Sequence, residues 1–114
     1  MTLEPPSPPA PEVATAVNRA RTVAVRATEA GLPLDIRIDE RELRYGGERL
    51  ADEILRLCRE AAREAGSRRR EQLAHDGMPE DVLDRLGLPT REQVAVAQQA
   101  EDENQAPTSW MRRV

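Results

Sequence analysis

The stretch that decides the fold is TVAVRATEAGLPLDIRID, residues 22–39, in which two alternating runs flank a turn. In the first run, Val23, Val25 and Ala27 fall on one face. Gly31 tolerates the positive φ of a tight turn, and Pro33 lacks an N–H and so suits the start or edge of a strand. The second run also places its apolar residues on one face: Leu32, Leu34, Ile36 and Ile38. This alternation of apolar and polar residues predicts a β-hairpin with one buried face and one solvent-exposed face.

A long charged helix is predicted after a short link and the breaker at residues 46–47. Acidic residues occupy its first turns, and the apolar positions recur every three or four residues: Leu50, Ile54, Leu57, Ala61 and Ala65. The opposite-charge pairs at i,i+4 are Asp52–Arg56, Arg56–Glu60 and Glu64–Arg68. Each contributes about 0.2 to 0.5 kcal/mol in an isolated helix, so the helix is expected to pack on the hairpin.

The composition predicts a homodimer. Of 114 residues 39% are hydrophobic, Phe is absent, and Trp110 and Tyr45 are the only aromatic residues. Roughly 65 residues are expected to pack, a size at which a single core rarely supplies more than about 3 to 5 kcal/mol. Cys58 is the only cysteine, so an intrachain disulfide is excluded, and it is interpreted as a buried small hydrophobe.

The flanking segments complete the predicted organisation. Residues 1–11 hold five prolines and are expected to form a disordered arm, and residues 12–76 form the domain. In VATAVNRAR, the alternation of Val13, Thr15 and Val17 favours a first strand, although EVATAVNRA is also compatible with a short helix. Residues 77–114 are expected to be an acidic, partly disordered tail with a short helix over PEDVLDRLG and a weaker one over TREQVAVAQQAEDE. The predicted fold class is α+β, a three-stranded antiparallel meander followed by a long helix.

The order of elements in TVAVRATEAGLPLDIRIDERELRYGGERLADEILRLCREAAREA resembles the YbaB/EbfC family of bacterial nucleoid-associated proteins, in particular its divergent actinobacterial branch. The resemblance covers roughly half of the chain and depends on three features. These are the valine-alternating strand with its Gly-containing turn, the strand LDIRID, and the helix that opens after Glu48-Arg49-Leu50. It implies an α+β dimer in which antiparallel strands from two protomers associate, with sequence-tolerant DNA binding. The family's long N-terminal helix is replaced here by the proline-rich start.

The dimer and core set predicted from these patterns comprises eight apolar residues: Val23, Val25, Leu34, Ile36, Ile38, Leu50, Ile54 and Leu57. The candidate DNA-binding residues are the arginines of the long helix: Arg59, Arg63, Arg68, Arg69 and Arg70. Guanidinium groups spaced along a helix can contact phosphates with little base readout. The alternative is that these arginines complement the helix C-terminal dipole and pair with Glu60, Glu64 and Glu71 in solvent.

A second candidate region lies at the C-terminus. Trp110, with Arg112 and Arg113, forms an aromatic and basic end that could anchor in a partner protein or stack on a base. The competing interpretation is that this end folds back on its own chain or stays disordered.

The sequence lacks the residue combinations that usually support catalysis or metal binding. His75 is the only histidine, no CxxC pair accompanies Cys58, and no Gly-rich phosphate loop follows a strand. We therefore predict no enzymatic activity, no metal and no cofactor. The first twelve residues lack the basic start and apolar run of a signal peptide, and no window suits a membrane span. A cytoplasmic location at the nucleoid is expected, and secretion without a classical signal stays open.

The sequence is compatible with two functions. The first is a homodimeric nucleoid-associated protein that binds double-stranded DNA with little sequence specificity. The second is a protein-interaction or type VII secretion-accessory protein that keeps the dimer and does not bind DNA, since family relatives also occur beside type VII secretion loci. A dimerising scaffold that recruits proteins through its arm and tail is not separable from the second by sequence. The net charge of −4, from 17 arginines and 21 acidic residues without lysine, favours the second.

Overall fold

A three-stranded antiparallel sheet is covered on one face by a long helix. The computed structural model describes residues 11–105. The strands are β1 (Val13–Val17), β2 (Val23–Thr28) and β3 (Pro33–Ile38), with β2 in the centre. A 3₁₀ helix (Glu40–Tyr45) leads into α1 (Gly47–His75), and α2 (Glu80–Arg85) and α3 (Arg91–Gln105) follow. The predicted α+β meander followed by a long helix is confirmed, whereas the link before α1 proves to be helical.

Each turn of the sheet has a residue that permits it. Asn18 accepts hydrogen bonds at its side-chain oxygen from the main-chain N–H groups of Thr22 and Val23. Gly31 has φ of 86°, the left-handed conformation that glycine adopts without a steric penalty. The predicted hairpin turn is therefore present, and the β2–β3 pairing shifts its register beside it, between Arg26 and Ala27.

The core between α1 and the sheet is small. Fully or almost fully buried positions on the sheet are Ala14, Ala16, Val23, Val25 and Ala27, and those on α1 are Leu57, Ala61 and Ala65. Leu50, Ile54 and Cys58 pack at its margin. Most of these side chains are alanines, which let the helix approach the strands closely and leave little apolar area to bury.

The face of β1 that packs against α1 is not the face that carries Val13, Thr15 and Val17. Ala14 and Ala16 are buried, whereas Thr15 and Val17 are exposed. The strand prediction is confirmed, but the alternation of Val13, Thr15 and Val17 marks the outer face. The alanines of β1 therefore face α1, and its larger side chains lie on the opposite face.

The tail folds back onto α1. Leu83 of α2 is buried, and the link between α2 and α3 crosses α1 at Gly66, where an added Cβ would lie 2.9 Å from the Cδ of Pro89. The predicted helices of the tail are present as α2 and α3. Residues 1–10 and 106–114, including most of the proline-rich arm, lie outside the described residues.

Candidate nucleic-acid interface and assembly edge

The candidate arginines of α1 do not form a single patch. Arg59, Arg63 and Arg70 lie on the side of the helix away from the sheet, because they are four, seven and eleven residues apart and alternate with the buried Leu57, Ala61 and Ala65. Arg68 and Arg69 turn toward opposite margins of the sheet. The run Arg68-Arg69-Arg70 therefore points in three directions, as a spacing of about 100° per residue requires.

Arg68 and Arg69 tie α1 to the sheet. Arg68 donates to the main-chain oxygen of Val13 at 3.1 Å and lies 3.6 Å from Glu64. Arg69 donates to Glu29, beside the hairpin turn, with a nitrogen-to-oxygen distance of 2.9 Å. The Glu29 carboxylate raises the pKa of Arg69 above its ordinary value, chiefly through this hydrogen bond. These two arginines hold the fold together, and neither belongs to the outer face of α1.

Arg63 and Arg70 meet acidic residues of the tail. The Nη2 atom of Arg63 lies 3.0 Å from Oε1 of Glu101 in α3. Arg70 donates to Oδ1 of Asp84 at 2.8 Å and to the main-chain oxygen of Leu88 at 2.7 Å. Arg70 is consequently buried, whereas Arg59 is exposed. The predicted i,i+4 pairs Arg56–Glu60 and Glu64–Arg68 are confirmed.

Two further arginines extend the outer face toward the start of α1. Arg49, Arg56, Arg63 and Arg70 recur at intervals of seven residues, close to two helical turns. Arg56 pairs with Glu53 at 2.6 Å and Glu60 at 3.3 Å, and the predicted Asp52–Arg56 pair is not formed. Arg49 lies over the Tyr45 ring at 5.0 Å. This seven-residue spacing is visible in the sequence and would have predicted that the four arginines share one face of α1. We call this set, together with Arg59, the arginine ridge.

The predicted dimer and core set divides into two groups. Val23, Val25 and Leu57 are fully buried, and Leu50 and Ile54 pack at the margin of the core. The three residues of β3 in the set remain substantially exposed: Leu34 at 48%, Ile36 at 40% and Ile38 at 39%. All six residues of β3 are exposed, because α1 lies over β1 and β2.

Other candidate residues contribute little to a site. Cys58, predicted as a buried small hydrophobe, is only partly buried, because it lies at the margin of the core, and its thiol donates to the main-chain oxygen of Gly31 at 3.3 Å. Within residues 11–105 no three His, Cys, Asp or Glu side chains come together in a way that could hold a metal ion. None of the helices in the same range has the length and apolar content to cross a bilayer. Trp110, Arg112 and Arg113 lie outside the described residues.

The geometry defines the chain as an α+β protein with a small sheet, one long helix and a helical tail packed on that helix. Comparison with family models, with curated proteins and with solved structures gives no match.

Proposed function

We propose that the chain is a non-enzymatic protein that forms a homodimer through β3 and contacts the phosphates of double-stranded DNA with little sequence specificity. The observation that carries the DNA-binding part is the arginine ridge on the solvent side of α1. The YbaB/EbfC resemblance and its implied cytoplasmic, nucleoid location belong to the same proposal. The dimer would bring two arginine ridges into one particle.

The edge of the sheet at β3 is open and apolar. Val25 is paired with Ile36 and Val23 with Ile38, so these isoleucines lie on the face that α1 covers elsewhere. They are nevertheless about 40% exposed. Exposed edge strands with apolar side chains readily pair with another strand. A second copy would cover these side chains and enlarge a core that consists mostly of alanine.

The main chain of β3 is oriented for such pairing. The Asp39 N–H donates to the Thr22 oxygen at 2.7 Å, which makes Thr22 and Asp39 a hydrogen-bonded pair. In an antiparallel ladder, alternate residues direct their N–H and C=O groups to opposite sides of the strand. The main-chain groups of Ile36 and Ile38 therefore face away from β2 and toward any added strand.

One register of β3 against itself satisfies the charges. Antiparallel pairing centred on Ile36 places Asp35 opposite Arg37 of the second copy, and Leu34 opposite Ile38. A shift of two residues either way places Asp35 opposite Asp35 or Arg37 opposite Arg37. Like charges directly opposite each other are destabilising, whereas opposite charges contribute roughly 0.2 to 1 kcal/mol per pair. The Ile36-centred register is thus self-complementary.

The arginine ridge is suited to a phosphate backbone. From Arg49 to Arg70 it spans roughly 32 Å at 1.5 Å per residue, close to one turn of duplex DNA. Arg49 and Arg59 are exposed, and Arg56, Arg63 and Arg70 are paired with carboxylates. Guanidinium groups donate to carboxylate and phosphate oxygens alike, so phosphates can replace the carboxylates. Such contacts position a protein on DNA without reading its sequence.

The test is binding of a fluorescent duplex of random sequence across a salt series, measured by anisotropy. The ridge variant Arg59→Gln with Arg63→Gln is compared with Arg26→Gln with Arg85→Gln, which removes the same charge from the outer sheet face and from α2. We expect binding at low salt that weakens steeply as salt rises, and a loss of about tenfold or more in the ridge variant alone. Equal losses in the two variants, or affinity independent of salt, would contradict the proposal.

A protein-interaction role is the second candidate, and one observation favours it. Leu43, Tyr45 and Leu55 are each about 60% exposed, and none of them is needed for the pairing of β3. Apolar side chains of this size on a surface are typical of contacts with another protein. A folded dimer that does not shift random duplex DNA at low salt would favour this role, in which type VII secretion-accessory function is included.

A further inference from the structure

We infer that residues 80–105 form an acidic strap that occupies the C-terminal half of the arginine ridge and restrains its binding to polyanions. The strap consists of α2, α3 and the link between them. This inference rests on the proposed DNA binding, and it concerns how that binding is regulated. The strap competes with phosphate groups for the same guanidinium groups.

The charges of the chain are divided between the strap and the body. Residues 11–79 carry thirteen arginines and thirteen acidic residues and are neutral. Residues 80–105 carry seven acidic residues and two arginines, a net charge of −5. Folding the strap onto α1 places this negative charge directly on the helix that carries the ridge. An approaching duplex therefore meets a repulsive surface until the strap moves.

The contacts of the strap with the ridge are ionic. Arg63 is held by Glu101, and Arg70 is held by Asp84 and the main-chain oxygen of Leu88. At Arg70 the strap offers oxygen atoms that accept from guanidinium N–H groups, as a phosphate would, and at Arg63 it offers a carboxylate at ion-pair distance. Arg59, one helical turn before Arg63, is exposed. A strap that moves aside would free two arginines and join them to Arg59.

The strap is packed loosely enough to leave. Leu83 is its only buried apolar side chain among the described residues. A cleft of about 440 Å³ lies between α3, α1 and β1. Nη2 of Arg63 and Oε2 of Glu101 are buried without a hydrogen-bond partner among the described residues. Part of the remaining hold comes from Arg91, which pairs with Glu64 at 2.7 Å and Glu71 at 3.3 Å on the exposed flank of α1. Exposed ion pairs weaken with salt and contribute little individually.

Glycine residues at both ends of α2 provide joints. Gly77, between α1 and α2, has φ of 99°, and Gly87, between α2 and α3, has φ of 75°. Their backbones can change conformation with little steric resistance. The strap can therefore swing away from α1 while α1 keeps its own hydrogen bonds and its packing on the sheet.

Two variants release the strap by independent means. Gly66→Ala changes no charge, but its Cβ would lie 2.9 Å from the Pro89 ring, so the link must move off α1. Alanine also favours the helix at this position. Asp84→Asn with Glu101→Gln removes the carboxylates nearest to Arg70 and Arg63, and leaves Glu80 at 3.8 Å from Arg70. The matched control is Asp81→Asn with Glu92→Gln, which removes two charges from the strap at positions that do not contact the ridge.

The experiment measures affinity for the random duplex by anisotropy and opening of α2 and α3 by hydrogen exchange, with the full chain throughout. We expect both releasing variants to exchange faster in the strap and to bind DNA about 3- to 10-fold more tightly, and the control to change by less than about twofold. A strap that opens without a gain in affinity, a strap that neither variant opens, or an equal gain in the control overturns the inference. No binding by any variant at low salt would instead contradict the proposed function.

Discussion

At the residue scale, direction around the helix decides the role of each arginine. Arg68, Arg69 and Arg70 are adjacent in sequence, yet they contact Val13, Glu29 and Asp84, which belong to three different elements. Periodicity identified α1 and its buried face correctly. It could not identify these partners, because they lie 14 to 55 residues away and depend on how the elements pack.

The glutamate at the junction of α1 and α3 gives a pH-dependent prediction. Burial raises the pKa of Glu60 above 4.5, and Glu101 and Asp102 of α3 act in the same direction, while Arg56 and Arg63 oppose it. A carboxyl group whose pKa is raised on folding destabilises the folded state while it is ionised. Glu60→Gln should therefore increase the free energy of unfolding at pH 7. This advantage over the wild-type chain should shrink as the pH falls through the raised pKa.

The measurement is urea unfolding at several pH values from 7 to 4. Glu103→Gln serves as the control, since it removes the same charge from an exposed position of α3. Equal stabilisation by the two substitutions, or a Glu60→Gln advantage that does not depend on pH, would contradict the assignment.

At the element scale, the two edge strands differ in how they are covered. Beside β1, α3 lines a cleft with Val94 and Ala95, whereas all of β3 is exposed. The alternation in the sequence predicted both strands and the apolar face of β3. The alternation could not show whether the apolar face of β3 is covered by the same chain or by a second copy. Both arrangements require apolar residues at every second position.

Ile36→Lys tests the role of β3. A charged residue on an edge strand opposes pairing with another strand, so this substitution should weaken dimerisation by at least about tenfold and leave the fold intact. Val17→Lys is the matched control, because Val17 is a similarly exposed apolar residue on the opposite edge strand. Dissociation constants come from sedimentation equilibrium. Dimers of equal strength in both variants would exclude β3 as the interface.

At the scale of the whole molecule, a small core, an open edge and a strapped helix are related. The body buries mostly alanine, and what would complete it is another copy at β3 on one side and the tail on α1 on the other. Composition predicted the need for a partner, and the acidic tail was evident from the sequence. The docking of that tail on Arg63 and Arg70 was not, since it depends on contacts that no local pattern encodes.

The most direct test of the central claim, a dimer through β3 that carries two arginine ridges, is a charge exchange across the proposed register. Asp35→Arg alone and Arg37→Asp alone each place like charges opposite each other and should weaken the dimer by about tenfold. An equimolar mixture of the two single variants should restore a species of twice 12.7 kDa by light scattering, because a mixed pair faces opposite charges. A monomeric wild-type chain, or single variants whose dimers are unaffected and not rescued by mixing, would contradict the account.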